Sequence, residues 1–401
     1  MEDATEKDGL RMKITDLEVL RMDAPSEQDN NWLFVRIYTD EGIHGIGEGS
    51  LQYKDAALAA ELENFGKYLK GKDPFQLEHI WTSLHRRVTW TGGAVTISAI
   101  SAIDLALWDI KAKALGVPVY QLAGGKVRDQ VPLYANGWRG LRSAHGEAGD
   151  SFEAELDQIA ASGKAVVQQG FGCMKIYPFG GGQSISMERL DKGIARVEAL
   201  RDAVGPSIEI AIDCRARLNL WSARRAAKRL EPFDIAWMEE PILFDNVDAM
   251  GACARSVDVP IATGEQRYTR WEFRDILEQN AVGIIQPDTC HAGGMSELRK
   301  IGALAEAYTV IVSPHNSNGP ISTVASLHLD MTLPNCHMQE LFLNSTKEYD
   351  EVLTNPIAVS DGSATVPEGP GWGTDIDDEV LKKYPPSELT PIESEPYLGF
   401  F

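Results

Sequence analysis

The 401-residue chain has few cysteines, no long apolar run and no surplus of basic residues. Its five cysteines form no CxxC pair and their number is odd, which argues against a disulfide framework or a zinc knuckle. No apolar run approaches the roughly 20 residues that a membrane-spanning helix needs. The first 13 residues are charged and lack the apolar centre of a secretory signal. We therefore expect reduced thiols, a cytoplasmic location and no membrane partner.

Basic residues are in short supply, because 38 Lys and Arg stand against 59 Asp and Glu and give a net charge of −21. This charge disfavours binding to a nucleic-acid backbone or to an anionic membrane surface. An anionic small molecule would need cations placed close to it. The hydrophobic share of 43% is that of an ordinary globular protein. The length suits a barrel of about 250 residues beside a smaller domain.

The first third of the chain predicts an α+β module over residues 13–130. Residues 13–48 alternate in short β-like runs, and the tetrad TDEG at 39–42 predicts a hairpin turn. Residues 54–124 have a helical pattern, and Gly116 followed by Pro118 ends one of these helices. The apolar stripe of that helix consists of Ile100, Ile103, Leu107 and Ile110.

From residue 131 to 363, short apolar runs alternate with amphipathic helical stretches. The eight strand candidates are VPLYA, GFGCMKIY, SIEIAIDC, DIAWMEEP, VPIATGE, AVGIIQPD, TVIVSPH and CHMQE. Short buried strands joined by helices indicate parallel pairing, and eight of them predict a closed (β/α)8 barrel, here ending on a strand. The segment 364–401 is rich in Pro, Gly and acidic residues, and we expect it to pack back on the N-terminal module.

Polar residues stand at the carboxyl end of six of these runs, which is the informative pattern of the sequence. They are separated by 26, 26, 23, 27 and 25 residues, about the length of one βα unit. They should therefore converge on the rim where such barrels build their active sites. The six are Asp213, Glu239, Glu265, Asp288, His315 and Glu340.

Asp213, Glu239 and Glu265 offer three hard oxygen ligands on adjacent strands, the kind that Mg²⁺ prefers. Without a cation, carboxylates so close together would repel one another and raise each other's pKa. A helix N-cap or a surface ion pair explains one such acid equally well, but not three at successive strand ends. The pattern predicts a Mg²⁺ site.

Asp288 and His315 end the next two predicted strands. A carboxylate bound to one imidazole nitrogen fixes the tautomer and leaves the other nitrogen free to take a proton. The alternative is a buried core histidine, but the sequence SPHNSNGP places His315 at a strand exit bounded by Pro and Gly. We predict that His315 is a general base.

Lys175 and Tyr177 lie two residues apart, so they point to the same side of one strand. Lys175 can bind a substrate carboxylate or an enediolate. Tyr177 would be a base only if a cation lowered its pKa, and Arg215 on the neighbouring strand is a candidate for that cation. The alternative is that Tyr177 and Arg215 are ordinary residues of the rim.

With these residues in these positions, the sequence resembles the enolase superfamily, in its mandelate racemase-like branch. The motifs are SAISAIDLALWDIKAKALGVPVYQLAGG, KIY, AIDCRAR, WMEEP, TGEQ, QPDTCHAGG and SPHNSNGPI. The resemblance implies Mg²⁺ on the three carboxylates, a His315–Asp288 dyad, and Glu340 near the substrate carboxylate or enediolate. It also implies that the N-terminal module caps the barrel and selects the substrate with loops at 26–31 and 51–54.

Within the branch the chain is most similar to acid-sugar dehydratases of the galactonate type. Racemases of the branch carry a second lysine where this chain has Tyr177, and galactonate dehydratases carry a histidine where it has Arg215. That histidine protonates the departing hydroxyl, which an arginine cannot do because it stays protonated.

The predicted reaction is dehydration of an aldonate or aldarate to a 2-keto-3-deoxy acid, with His315 or Tyr177 protonating the leaving hydroxyl. A racemase, epimerase or cycloisomerase would use the same first step, with Tyr177 as the second acid–base group. A scaffold that has lost catalysis is a third reading, against which the complete set of site residues argues. The expected partner is a small carboxylate rather than a nucleic acid, and the subunits are expected to form a symmetric homo-oligomer.

Overall fold

The computed structural model describes residues 12–24, 31–86, 89–138, 151–180 and 184–388. The N-terminal lead-in, most of the predicted loop at 26–31 and the last 13 residues of the chain lie outside these ranges. Across the described ranges, none of the helices is long and apolar enough to span a membrane.

The described chain begins with a three-stranded antiparallel sheet in the order β1-β2-β3. The strands are β1 (Ile14–Asp23), β2 (Asn31–Thr39) and β3 (His44–Glu48). The Thr39 amide donates to the Ile43 carbonyl over 3.1 Å across the tight turn that joins β2 to β3. The hairpin predicted from TDEG is thereby confirmed.

Four helices follow this sheet and complete the module. They are α1 (Asp55–Leu69), α2 (Leu77–Arg86), α3 (Ala94–Leu115) and α4 (Val119–Leu122). Gly116 ends α3 in the left-handed conformation, with φ of 68°. The predicted apolar stripe of α3 is buried, but so are Ser98, Ser101, Asp104 and Asp109 on the same helix. Helix α3 is therefore enclosed on nearly all sides instead of being amphipathic.

Close packing of β3 against α3 explains the two glycines of the sequence HGIGE. A Cβ added to Gly45 would lie 2.1 Å from the Ala106 carbonyl oxygen, and one added to Gly47 would lie 2.0 Å from that of Ala102. Because backbone meets backbone here, neither position has room for a larger residue. This contact brings Glu48, at the end of β3, to the barrel.

Eight parallel strands form the predicted barrel. They are β4 (Val131–Asn136), β5 (Cys173–Ile176), β6 (Glu209–Asp213), β7 (Trp237–Glu239), β8 (Ile261–Thr263), β9 (Ile284–Ile285), β10 (Ile311–Val312) and β11 (Gln339–Phe342). Each pairs with the next from β4 to β10, and β11 pairs with β4. A parallel bridge from Val312 to Cys336, just before β11, closes the circle.

One helix follows each of the barrel strands β4 to β10, and a short 3-10 turn and helix follow β11. The helices are α5 (Phe152–Gln168), α6 (Met187–Val204), α7 (Leu220–Leu230), α8 (Val247–Ala254), α9 (Thr269–Glu278), α10 (Gly294–Ala307) and α11 (Pro320–Asp330). Helices α5 to α8 each begin after a side-chain oxygen that accepts an amide hydrogen bond of the first turn. Those N-caps are Ser151, Ser186, Asn219 and Asn246.

The inside of the barrel is packed with side chains rather than open. A buried cluster of one residue from each of β4 to β9 fills it. Its members are Tyr134, Cys173, Ala211, Trp237, Ala262 and Ile284. This layer lies beneath the carboxyl ends of the strands and gives the rim residues a rigid floor.

The chain that follows β11 returns first to the barrel and then to the N-terminal module. Its elements are α12 (Thr346–Val352), β12 (Ala358–Ser360), β13 (Ser363–Thr365) and α13 (Asp378–Lys383). Strand β13 pairs antiparallel with β4. The guanidinium of Arg36 donates to Asp378 over 2.8 Å, and the indole of Trp372 donates to the Ile46 carbonyl over 2.9 Å. These contacts join the segment to β2 and β3.

Candidate active site

The six polar residues of the predicted ladder occupy one rim of the barrel, but not all at strand ends. Asp213 and Glu239 are the last residues of β6 and β7. Glu265 follows β8 by two residues, whereas Asp288 and His315 follow β9 and β10 by three. Glu340 is the second residue of β11. The prediction that it ends its strand is therefore wrong. Its position inside the strand leaves it fully buried.

Asp213, Glu239 and Glu265 form a possible metal site. One carboxylate oxygen from each lies within 4.8 Å of the others. Burial, together with the charge of Glu239, raises the pKa of Asp213 to about 8. A divalent cation would remove this repulsion and hold all three groups ionised. The donor set is therefore of the kind that suits a hard metal ion.

Glu239 is the most tightly held of the three carboxylates. Its Oε1 accepts from Lys175 Nζ over 2.6 Å, while its Oε2 accepts from the Gln286 amide over 2.7 Å and from the Trp237 indole over 3.1 Å. Such neighbours fix the direction of the carboxylate and keep it ready to coordinate.

Lys175 lies in a buried network of acids. Its Nζ is 2.7 Å from Glu340 Oε1 and 3.7 Å from Asp213 Oδ2. Burial would lower the pKa of Lys175, but the charges of Glu239 and Glu340 outweigh it, so the pKa is raised. Burial alone would raise the pKa of Glu340. The charges of Lys175 and His315 outweigh burial, so this pKa is lowered. Both groups are charged at neutral pH.

The predicted dyad is formed. His315 Nδ1 is 2.7 Å from Asp288 Oδ2, and His315 Nε2 points towards the metal ligands, 3.5 Å from Glu265 Oε2. Asn318 donates to both oxygens of Asp288, and the Cys290 amide donates to Oδ1 over 2.7 Å. Burial would lower the pKa of His315, but Glu265, Asp288 and Glu340 raise it to about 10. With no cation at Glu265 this imidazole is therefore protonated at neutral pH, whereas a divalent ion held by Glu265 would offset the largest of these charges and free Nε2 to accept a proton.

Strained backbone surrounds the metal ligands. Arg215 and Glu240 have φ values of 52° and 36°, although neither is a glycine. The Arg215 amide donates to Asp213 Oδ1 over 2.6 Å, and this bond holds the strained turn against the ligand. Gly264 has φ of 149°, and a Cβ there would lie 2.8 Å from the backbone of Gln286. Such conformations concentrate at functional sites.

Tyr177 and Arg215 lie together at the rim, as predicted, with the guanidinium carbon 5.3 Å from the centre of the phenol ring. Asn136 Nδ2 donates to the Tyr177 hydroxyl over 2.7 Å. Burial raises the pKa of Tyr177, and this outweighs Lys175 and Arg215, which lower it. Arg215 therefore does not turn Tyr177 into a base in this structure.

A cavity of about 500 Å³ opens above these groups. Its walls include the metal ligands Asp213 and Glu265, the base His315, and Gln52 and Lys54 from the predicted loop at 51–54. The N-terminal module thus contributes directly to the wall of the cavity. The mixture of cations, amides and aromatic rings around it suits a hydroxylated anion.

Sequence reasoning missed several residues of the site. Asn136 ends β4 and donates to Glu340 Oε1 over 2.8 Å. It is a polar residue at the end of a strand, so the pattern that predicted the ladder could also have predicted Asn136. Glu240 is buried and accepts from Thr263 and Gln266, and its place beside Glu239 gave no separate signal. His291 also lines the cavity, although the sequence gave it no special setting.

Comparison with known proteins agrees with this geometry. Residues 12–124 match the family described as mandelate racemase/muconate lactonizing enzyme, N-terminal domain, and residues 158–380 match the enolase C-terminal domain-like family. The chain belongs to the enolase superfamily.

Its relatives within the superfamily include D-galactonate dehydratases. That of Xanthomonas euvesicatoria pv. vesicatoria (strain 85-10) is 36% identical over 95% of this chain and 97% of its own length. That of Variovorax paradoxus (strain S110) is 34% identical over the same shares of the two chains. The chain is thus an enzyme of the enolase superfamily, and its relatives place it with the acid-sugar dehydratases.

Solved structures of the superfamily have the same fold over nearly the whole chain. A member of the enolase superfamily from Salmonella Typhimurium has a TM-score of 0.86 at 31% identity, with 93% of this chain and 98% of that chain covered. A mandelate racemase/muconate lactonizing enzyme-like protein from Rubrobacter xylanophilus DSM 9941 has a TM-score of 0.87 at 30% identity, with 95% and 99% covered. The predicted barrel with its capping domain is confirmed.

Proposed function

We propose that the protein is a Mg²⁺-dependent lyase that dehydrates a sugar acid, an aldonate or aldarate, to a 2-keto-3-deoxy acid. The observation that carries this proposal is the direction of His315. Its Nδ1 is held by Asp288 at 2.7 Å, and its Nε2 faces the carboxylates that would hold the metal, 3.5 Å from Glu265. A substrate carboxylate at the metal site would therefore present its α-carbon to a base.

Asp213, Glu239 and Glu265 are the residues that would hold Mg²⁺. When bound, the ion would supply Lewis acidity that stabilises negative charge developing on the substrate carboxylate. The raised pKa of Asp213 supports the assignment, because these acids are poorly accommodated together without a cation.

The protein's own groups divide the first step between them. His315 Nε2 removes the proton at C2, and the ionised Asp288 stabilises the imidazolium that forms. The charged ammonium of Lys175 lies between the metal ligands and Glu340, where it stabilises the enediolate. Glu340 holds Lys175 in place, because its carboxylate is ionised and buried.

The protonation of Tyr177 bears on the choice between dehydration and the alternative, which is racemisation or epimerisation. The alternative needs a second acid–base group facing His315, and Tyr177 is the sequence candidate. Its pKa is raised by burial despite the nearby Arg215. A neutral phenol that stays protonated is a poor base, which favours dehydration as the proposed outcome.

The test is an assay of the purified protein with Mg²⁺ on a panel of aldonates and aldarates, scored for 2-keto acid. The variant His315→Asn should lose at least about a thousandfold in turnover, because it cannot take the C2 proton. Tyr177→Phe serves as the comparison and should keep turnover within about tenfold. Undiminished turnover in His315→Asn would refute the assigned base.

The cytoplasmic location, the symmetric homo-oligomer and the absence of nucleic-acid and membrane partners stay predictions from the sequence.

A further inference from the structure

His291 brings a second imidazole to the active-site cavity. It follows Asp288 by three residues, lines the cavity, and has 11% of its side chain exposed. Its Nδ1 lies 2.8 Å from the hydroxyl of Ser98 on α3, and its Nε2 lies 4.0 Å from Asp288 Oδ1. Ser98 belongs to the capping domain, so this ring is held from one side by the cap and faces the barrel with the other.

We propose that His291 is the acid that protonates the hydroxyl leaving C3, an inference that rests on the dehydration proposed above. The role needs an acid because hydroxide is a poor leaving group. His315 could return the proton taken from C2 only on the face of the substrate from which it took it, and Arg215 stays protonated throughout.

Asp288 makes His291 suitable as this acid, because two imidazoles share its carboxylate. His315 binds Oδ2, while Oδ1 faces His291. Burial would raise the pKa of Asp288, but His291 and the hydrogen bond from His315 outweigh it, so Asp288 stays ionised. The ionised carboxylate thus lies 4.0 Å from the Nε2 atom that faces the barrel.

Ser98 lets the imidazole lose its proton without leaving a buried nitrogen unpaired. When both ring nitrogens carry protons, Nδ1–H donates a hydrogen bond to the Ser98 hydroxyl. The proton on Nε2 then remains available to the substrate. After transfer from Nε2, the Nδ1–H bond to Ser98 remains. The ring therefore keeps one orientation in both protonation states.

Loss of the 3-hydroxyl balances in protons and in electrons. His315 has taken the C2 proton, and the enediolate carries the electron pair. This pair forms the C2–C3 double bond as the C3–O bond breaks, and the leaving oxygen takes the Nε2 proton of His291 to become water. The resulting enol then gains a proton at C3 from the His315 imidazolium and loses its C2 hydroxyl proton to His291, which gives the 2-keto-3-deoxy acid and returns both imidazoles to their starting states. No oxidant or reductant is required.

The experiment separates proton removal from loss of water. Wild type and His291→Gln are incubated with Mg²⁺ and each active sugar acid in ²H₂O, and both 2-keto acid formation and deuterium at C2 of recovered substrate are measured. His291→Gln should lose about 10²–10⁴-fold in dehydration but retain C2 exchange within about tenfold. Equal losses of both rates, or undiminished dehydration, would overturn the proposal.

A substrate analogue with fluorine in place of the 3-hydroxyl provides a rescue test. Fluoride leaves without needing a proton, so His291→Gln should eliminate fluoride from it at a rate within about tenfold of wild type. A variant that is merely misfolded would be equally impaired on both substrates. His337→Gln, which removes a half-buried imidazole paired with Glu209, is the matched control and should behave as wild type.

Failure of the dehydration proposal has a different signature. If wild type forms no 2-keto acid from any sugar acid in the panel, the proposed function is wrong. If wild type is active and His291→Gln dehydrates equally well, only the role of His291 is wrong.

Discussion

Buried charges at the residue scale are arranged in two different ways in this protein. At the active site, each buried acid has a nearby cation or amide donors, as Glu340 has Lys175, Asn136 and the Asn316 amide. At Asp330, by contrast, burial dominates. Asp330, the last residue of α11, is fully buried, and burial outweighs Cys336 and Arg128 and raises its pKa to about 8.

Asp330 leads to a prediction about pH. Its pKa is raised above the ordinary value of 3.8, so the folded protein favours its neutral form. The stabilisation is complete below pH 4 and is lost as pH rises towards 8. Asp330→Asn removes this ionisation, so the melting temperature of wild type relative to the variant should fall by on the order of 5 °C between pH 6 and pH 9.

The check is a pair of thermal melts at each pH. Asp202→Asn, on an exposed position of α6, is the control and should follow wild type at every pH. A constant difference between wild type and Asp330→Asn across this range would contradict a titrating Asp330.

At the scale of elements, the capping domain holds the barrel by the N-termini of two helices. Glu48, at the end of β3, accepts from the Gly319 amide over 2.5 Å and from the Ser322 amide over 2.8 Å at the start of α11. Asp104 of α3 accepts from the Ser296 amide over 2.9 Å at the start of α10. These two helices follow the loops that carry His315 and Asp288. Cap and catalytic dyad are therefore connected through short, buried contacts.

Glu48 provides the prediction at this scale. Burial raises its pKa to about 7, so a neutral amide is a fair replacement, whereas a methyl group leaves two buried amides without an acceptor. Glu48→Gln should cost less than about 1 kcal/mol of unfolding free energy, and Glu48→Ala about 2–3 kcal/mol.

Urea denaturation measures both values, with Glu63→Ala on the exposed side of α1 as the control. Equal stabilities of Glu48→Gln and Glu48→Ala would show that the carboxyl group does not cap α11.

For the molecule as a whole, the possible metal ligands come from three successive βα units of the barrel, so binding of an ion should stabilise the entire fold. Mg²⁺ at a hundredfold excess over its dissociation constant should add about 2.7 kcal/mol. The melting temperature of wild type should then rise by a few degrees and return to its starting value with a chelator.

Glu265→Gln, which removes one ligand, should show a much smaller rise at the same Mg²⁺ concentration. Sodium chloride at matched ionic strength controls for charge screening. A Mg²⁺ response that is the same in wild type and Glu265→Gln would place the ion elsewhere on this acidic protein.

The sequence by itself determined the barrel, the hairpin and the ladder from Asp213 to Glu340. The barrel and the ladder repeat at the length of one βα unit, and the hairpin follows from its turn residues. The place of Glu340 inside β11, instead of at its end, was not determined by the sequence. The N-cap residues of α5 to α8 are local in the same sense, because each side chain bonds an amide in the adjacent turn.

Only the tertiary structure decided which distant groups meet. Ser98 and His291 are separated by 193 residues, and Glu48 and Gly319 by 271. Such contacts depend on how the cap sits on the barrel, and no periodicity along the chain records them. The protonation of Tyr177 was likewise open in the sequence, because its pKa depends on burial as well as on Arg215, and burial exists only once the fold has formed.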